Sequence, residues 1–181
     1  QGLFQATLPN GTSAGNFNSK EYALTVTHAR KLSNSLSLGV NLKYINSNLL
    51  GNYQGTSGTG VAMKPAQTVA ADIALYWNST SEKSWKYTYG LVLSNISGKV
   101  SYGGAEKNFI PTNLRAGVAA VKDIDDKNKL TFTLDFNKLM VPTPQSVAID
   151  ANGNKVVTGT DPTTTSAIGG IFGSLFDAPD G

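Results

Sequence analysis

Residues 36–44 read Leu36-Ser37-Leu38-Gly39-Val40-Asn41-Leu42-Lys43-Tyr44, with an apolar side chain at every even position. A period of two marks a β-strand with one apolar and one polar face, because successive side chains of a strand point to opposite sides. The stretch is about as long as the 9–11 residues that a tilted strand needs to cross a membrane. It therefore predicts a long strand rather than an amphipathic helix, whose apolar positions recur every three or four residues.

The same alternation recurs along the chain and gives six predicted strands in all. They lie at about 21–31, 35–47, 67–78, 86–96, 112–122 and 129–139. In the last four strands, the apolar positions are Val69, Ala71, Ile73, Leu75, Trp77, Trp85, Tyr87, Tyr89, Leu91, Leu93, Leu114, Ala116, Val118, Ala120, Leu130, Phe132, Leu134 and Phe136. The opposite face carries the mid-strand charges Lys43, Asp72, Arg115 and Asp135. Such charges need water on their face, either bulk solvent or the polar lumen of a barrel.

The connections between the predicted strands alternate in length. Segments 32–34, 79–85 and 123–128 are short, whereas 48–66, 97–111 and 140–181 are long. The aromatic residues Tyr44, Trp77, Trp85 and Tyr87 lie near strand ends, where membrane barrels carry aromatic girdles. Short turns at one end and long loops at the other are typical of outer-membrane barrels, with the turns in the periplasm and the loops outside the cell.

These features predict an all-β fold, a transmembrane antiparallel β-barrel of a bacterial outer membrane, with lipid against its apolar face. Six strands are too few to close such a barrel, which needs at least about eight, and open edges in lipid leave backbone groups unpaired. We therefore expect residues 1–181 to form one partial barrel domain, with strands over 21–139 and an extracellular terminal loop over 140–181. The N-terminus has no signal-peptide features, so either a signal peptide has been cleaved or, as we expect, the sequence begins within a longer chain. A soluble β-sandwich adhesion domain is the alternative fold.

Composition argues against several classes of function. The chain has no cysteine and a single histidine, which excludes thiol catalysis, disulfides and Cys- or His-rich metal sites. That histidine, His28, is expected at the periplasmic interface of the membrane with Arg30 and Lys31. The net charge is +3, and the basic residues are scattered without the cluster that follows a nucleic-acid backbone. We expect no catalysis, no cofactor, no metal and no nucleic-acid partner.

Three motif-like segments are interpreted as structural. Residues 11–15 match the G-x-S-x-G nucleophile pattern, but they lie in a polar segment that we predict to be a loop, without the strand-to-helix context of that motif. The Gly-rich residues 55–60 lack the Gly-Lys-Ser/Thr ending of a phosphate-binding loop. Asp150, Asn152 and Asn154 have the spacing of Ca²⁺ ligands, but the required Gly is displaced and no closing Glu follows.

The segment 166–176 of the predicted terminal loop is apolar and has helical spacing. Four of its residues would share one face of a short helix, and Phe176 follows them. Two interpretations stay open: the helix plugs the mouth of its own barrel, or it is a docking surface, because exposed apolar patches usually mark contacts. The candidate partner-binding residues are Ile168, Ile171, Phe172, Leu175 and Phe176.

Two segments resemble a known protein family. Residues 108–115 read NFIPTNLR, and residues 134–144 read LDFNKLMVPTP. Residues 35–44 (SLSLGVNLKY), 93–99 (LSNISGK) and 172–177 add support. Over most of residues 21–144, and more loosely in the terminal loop, the chain resembles the PorV family, also called LptO, of the type IX secretion system of Bacteroidota.

The resemblance implies a 14-stranded barrel related to the FadL fatty-acid transporters, of which this chain holds about six strands. It implies a non-enzymatic outer-membrane component beside the translocon barrel SprA, also called Sov. Such a component receives secreted cargo by its C-terminal signal domain and passes it to the surface attachment complex. A FadL-like transporter of hydrophobic small molecules is the alternative function. A transporter needs a continuous apolar path through its lumen, whereas the inward faces predicted here are polar.

Overall fold

The computed structural model describes residues 4–7, 10–49, 62–79, 85–103 and 107–177. In chain order the elements are β1 (Phe4–Thr7), β2 (Ser13–Phe17), β3 (Lys20–Lys31), β4 (Leu36–Asn48), β5 (Ala66–Asn78), β6 (Lys86–Ser97), β7 (Asn113–Asp123), β8 (Lys129–Leu139), β9 (Ser146–Ile149), β10 (Lys155–Thr158) and α1 (Ala167–Gly173). Strands β3 to β8 form one antiparallel sheet in which each strand pairs with its neighbours in sequence. Within the described ranges, no helix is long and apolar enough to cross a membrane.

The six strands of this sheet confirm the six predicted strands, and their bounds agree to within one residue. Each strand is 11 to 13 residues long, about twice the usual strand length in soluble proteins. Strands β3, β5 and β7 all end at one end of the sheet, here called the short-turn end, and the segments that follow them are short in sequence. Strands β4, β6 and β8 end at the opposite, long-loop end, and the segments that follow them are long in sequence, in keeping with the predicted alternation of lengths.

Strand register brings the predicted apolar positions onto one continuous face. Leu42 pairs with Val26 on one side and with Ala71 on the other. The same face continues across the sheet, where Val118 lies opposite Leu134. Because side chains of directly paired residues point to the same side, this register confirms the face assignment made from the alternation.

This apolar face has no protein layer against it within the described residues. Leu134 is 71% exposed and Val26 is 68% exposed, and most of the other large side chains of the face are also exposed. A β-sandwich buries such a face between two sheets packed about 10 Å apart. The exposed face therefore argues against the sandwich alternative, because soluble monomers rarely expose large contiguous apolar patches.

Two short hairpins lie outside the sheet and correct the sequence interpretation. Residues 11–15, predicted to be a polar loop, lie largely in β2, which pairs with β1. The segment after β8, predicted to carry no strand, contains the β9–β10 hairpin. Strands of four or five residues are too short to show a reliable period of two, so alternation alone does not predict them. The turn between β9 and β10 is held by Asp150, whose carboxylate accepts the backbone N–H groups of Asn152 and Asn154, both at 2.8 Å.

A β-bulge in β6 breaks the regular pairing at Asp72. The register shifts between Ala71 and Ile73, so that two residues of β6 lie opposite Asp72. One of them, Asn95, has a φ of 58°, the left-handed region that Asn tolerates better than other residues with a Cβ. The Asp72 carboxylate accepts the N–H of Asn95 at 2.8 Å, and Lys43 Nζ lies 2.7 Å from Asp72 Oδ2 and 3.0 Å from Asn95 Oδ1.

The bulge also connects the sheet to the long-loop end. Thr112 Oγ1 donates to the backbone oxygen of Asn95 at 2.8 Å, and Asn95 Nδ2 donates to the oxygen of Pro111 at 3.2 Å. The N–H of Met140 donates in turn to the oxygen of Thr112 at 2.7 Å. Since Thr112 and Met140 are both buried, the bulge fixes the point at which the chain leaves β8.

Substitutions of Asn95 should separate the backbone cost of the bulge from its side-chain hydrogen bonds. Asn95→Gly keeps the left-handed φ and loses the bonds to Lys43 and Pro111, each worth about 0.5–1.5 kcal/mol. Asn95→Val loses the same bonds and places a β-branched residue in that region, which costs about 1–2 kcal/mol more. Urea unfolding of the complete protein measures both free energies. Equal values for the two variants would show that the bulge relaxes to regular pairing.

Candidate docking surface

Residues 140–177, here called the terminal lobe, leave β8 at the long-loop end and carry the predicted partner-binding residues. Pro142 and Pro144 stiffen the start of the lobe, because each fixes its own φ and restricts the residue before it. The N–H of Thr160 donates to the oxygen of Thr143 at 2.9 Å, so after the β9–β10 hairpin the chain pairs in parallel with its own earlier segment at Pro144. Beside this pairing, Gly159 has a φ of 83° and lies against the oxygen of Pro144, where a Cβ would clash.

The lobe is closed at its base by Asp177. Its carboxylate Oδ2 accepts the backbone N–H of Thr143 at 2.7 Å, and its backbone oxygen accepts Lys138 Nζ at 3.3 Å. The Thr143 N–H holds the pKa of the Asp177 carboxyl below its ordinary value, with a smaller contribution from the Lys138 charge. The end of the lobe therefore returns to the residues at which it begins.

Helix α1 is stabilised by hydrogen bonds at its two ends and by the burial of one of its faces. The Ser166 hydroxyl accepts the N–H of Gly169 at 3.0 Å, which makes Ser166 the N-cap. On the inner side of the helix, Ile171 is 3% exposed. Ser174 follows the helix, is also buried, and donates its hydroxyl to the Ile171 oxygen at 2.7 Å. The short helix predicted within 166–176 is confirmed, and Ile171 is its packing residue.

The structure divides the five candidate residues into two groups. Ile168, Phe172 and Phe176 are 55%, 54% and 94% exposed, and they follow one another at intervals of four residues. Ile171 is buried within the lobe, and Leu175 is half-buried beyond the end of the helix. The expectation that Ile171 and Phe172 share one surface is therefore wrong, because Ile171 contributes to the lobe's own packing. The sequence does mark the buried side of the helix. Gly170 and Ser174 are small residues, which let the side of α1 that carries Ile171 approach neighbouring segments.

The structure also places the motifs that the sequence analysis interpreted as structural. His28 pairs with Val40 near the short-turn end, and Arg30 shares its face. The carboxylate of Asp150 accepts hydrogen bonds from Asn152 and Asn154 within the turn of the β9–β10 hairpin. Residues 55–60 lie outside the described residues. In the part of the chain that the structure describes, no group of three or more His, Cys, Asp or Glu side chains is arranged to hold a metal.

Comparison with protein families agrees with this architecture. The family model described as type IX secretion system protein PorV matches residues 11–146, which is well over half of the chain.

The chain belongs to the PorV family.

It is thus a component of the type IX secretion system. The match covers strands β2 to β8 and ends at the first residue of β9, so that most of the terminal lobe, including α1, lies beyond it. A comparison with curated proteins finds no match. For this PorV family member, the role of the lobe must therefore be argued from its own contacts.

The closure of the lobe should depend on pH through Asp177. The folded pKa of this carboxyl lies below the value of about 3.9 for an unfolded Asp. Its contribution is therefore complete above about pH 4 and is lost as the pH falls through the lowered pKa. Hydrogen exchange in the complete protein should show the protection factor of the Thr143 amide falling over this acid range.

Two variants control this measurement. Asp177→Asn should lower the protection of Thr143 at neutral pH and abolish its acid dependence. Asp161, whose pKa is lowered by the Thr163 hydroxyl, lies in the same lobe, and its carboxylate accepts the N–H and the hydroxyl of Thr163. Asp161→Asn should therefore leave the acid dependence of Thr143 intact. If this dependence survives in Asp177→Asn, another group closes the lobe.

Proposed function

We propose that this PorV family member is part of an outer-membrane β-barrel and acts there as a non-enzymatic docking component for proteins. Its sheet is the wall of the barrel, with the apolar face against outer-membrane lipid and the polar face toward the lumen. The support is the length of the strands, the continuous exposed apolar face and the alternation of short and long connections. Strands beyond β3 and β8 complete the wall in this proposal.

Aromatic pairs at both ends of the apolar face support the proposed membrane position. At the short-turn end, the rings of Trp77 and Tyr89 lie 5.1 Å apart between centroids. Lys122 Nζ lies 5.7 Å from the ring of Trp85 at the same end, where a cation reaches the headgroup region. Toward the long-loop end, Tyr22 and Tyr44 lie 6.3 Å apart. Amphipathic rings near both ends of the strands are what two interfacial girdles require.

The exposed group Ile168, Phe172 and Phe176 carries the proposed docking role. These side chains stand on a lobe whose end is bonded to its start and whose chain pairs with itself at Pro144 and Thr160, so their position is set before any partner arrives. Large apolar side chains in a fixed arrangement are typical anchors of protein interfaces. The proposed partners are the SprA (Sov) translocon barrel and the C-terminal signal domains of secreted cargo, which pass on to the attachment complex.

The alternative function, transport of hydrophobic small molecules, is less well supported by the polar face. Asp72 is buried on that face, and its carboxylate accepts hydrogen bonds from Asn41, Lys43 and the backbone N–H of Asn95. Arg115 and Asp135 lie on the same face farther along the sheet. A path for a lipid would have to cross these charges, and the desolvation of an ion pair is unfavourable.

The proposed lipid face can be tested with a matched pair of arginine substitutions in β5. Leu75→Arg puts a cation on the apolar face, which costs about 2–4 kcal/mol near the bilayer midplane. Thr68→Arg, on the opposite face of the same strand, should be tolerated better. Folding of the complete protein into lipid bilayers measures both. Equal destabilisation would contradict the assignment of the faces.

The proposed docking role can be tested by replacing the two exposed phenylalanines. The double variant Phe172→Ser and Phe176→Ser should leave heat-modifiable folding on gels intact and should weaken co-purification with the translocon, because buried aromatic anchors often contribute about 2 kcal/mol or more. The matched control is Val147→Ser with Ile149→Ser, which removes exposed apolar side chains from the hairpin of the same lobe.

Only the first double variant should lower the recovery of the translocon. If recovery is unchanged while folding is lost, α1 plugs its own barrel instead. If both double variants lower recovery equally, the partner contacts the whole lobe rather than the group Ile168, Phe172 and Phe176.

A further inference from the structure

Two side chains from the β6–β7 connection contact the terminal lobe at the start and the middle of α1. Lys99 donates from Nζ to the backbone oxygens of Pro162 and Thr165, which lie 63 and 66 residues farther along the chain. The same ammonium lies 4.7 Å from the centre of the Phe109 ring. A cation shared between carbonyl dipoles and the face of an aromatic ring is attracted by all three groups.

The Phe109 ring reaches the helix itself at Gly170. A Cβ at this position would lie 2.5 Å and 2.7 Å from two carbons of the ring and 3.0 Å from Cγ of Pro142. Real side chains do not approach so closely, so Gly170 is the residue that lets the helix rest on the ring. Gly173, in the last turn of the same helix, has no atom within 4 Å of its Cβ position.

Helix α1 needs such support because it is short. It has seven residues, and isolated helices of fewer than about 12–15 residues are marginal in water. Lys99 holds the Thr165 oxygen directly before the N-cap Ser166, and Phe109 supports the middle of the helix at Gly170. The helix is thus fixed at two points by residues that belong to another connection.

We propose that Lys99 and Phe109 form a seat that positions α1 and thereby sets how the partner meets Phe172 and Phe176. They are positioning residues, since their contacts are with the lobe and they act on docking through the helix. This inference rests on the docking role proposed above. It adds that the affinity for an apolar protein partner depends on the β6–β7 connection, although that connection carries none of the anchor side chains.

The experiment compares two glycine variants in the complete protein. Gly170→Ala and Gly173→Ala both raise the helix propensity of α1. Only Gly170→Ala places a methyl group against Phe109. It should lower the hydrogen-exchange protection of the Ser174 amide by about tenfold, because the last turn of a displaced helix opens locally. Gly173→Ala should preserve or raise that protection. Lys99→Met should act like Gly170→Ala, and Lys99→Arg, which keeps a cationic donor, should restore part of the protection.

Recovery of the translocon barrel in mild detergent is measured on the same variants, with heat-modifiable folding as the control for the sheet. We expect Gly170→Ala and Lys99→Met to lower recovery several-fold and Gly173→Ala to leave it unchanged. If Gly170→Ala and Lys99→Met both leave the protection of the Ser174 amide unchanged, the proposed seat is wrong, whatever the recovery of the translocon barrel. Lost protection with normal recovery would overturn its link to docking. The Phe172 and Phe176 variants then decide separately whether the docking role itself fails.

Discussion

The carboxylate of Asp72 is the group on which the long-loop end of the structure depends. The Asp72 residue is 6% exposed, and its carboxylate accepts hydrogen bonds from Asn41 and Lys43 on β4 and from the backbone of Asn95 on β6. One side chain of β5 therefore joins the strands on both of its sides. A buried carboxylate without partners is strongly unfavourable, so all three donors must stay in place together. Through Thr112, the same contacts fix the start of the terminal lobe.

The sheet itself has almost no apolar core of its own. Within the described residues, the buried apolar side chains are Ala66, Ala70, Met140, Pro142 and Ile171. They lie in the half of β5 nearest the long-loop end, directly after β8 and in the lobe, and the middle of the sheet contributes little to them. The central strands therefore gain their stability from backbone pairing and from whatever covers the apolar face. In the proposed membrane, lipid covers the apolar face, and the backbone hydrogen bonds between strands determine how the strands pair.

The sheet was predictable from sequence, and the lobe was predictable only in part. Long strands with one polar face repeat a period of two often enough to set both their bounds and their faces, as Leu36 to Tyr44 illustrate. The contacts of Lys99 and Asp177 join residues far apart in sequence, and no local pattern marks them. Periodicity groups Ile171 with Phe172, because adjacent residues on a helix differ by only about 100°. Their burial nevertheless differs, since Ile171 is 3% exposed and Phe172 is 54% exposed, and which side of the helix is covered depends on residues distant in sequence, such as Phe109 and Pro142 beside Gly170.

The bond between Asp177 and Thr143 has a consequence for how the lobe can vary. This bond closes a loop of the chain at its base. The entropic cost of closing a flexible loop rises only with the logarithm of the loop's length. Doubling such a loop costs only about 0.6 kcal/mol. The β9–β10 hairpin stands inside this closure, and its turn is held by its own Asp150. Residues can therefore be inserted at the tip around Gly153 without displacing the helix, which makes the tip a permissive place for an epitope or a fluorescent label.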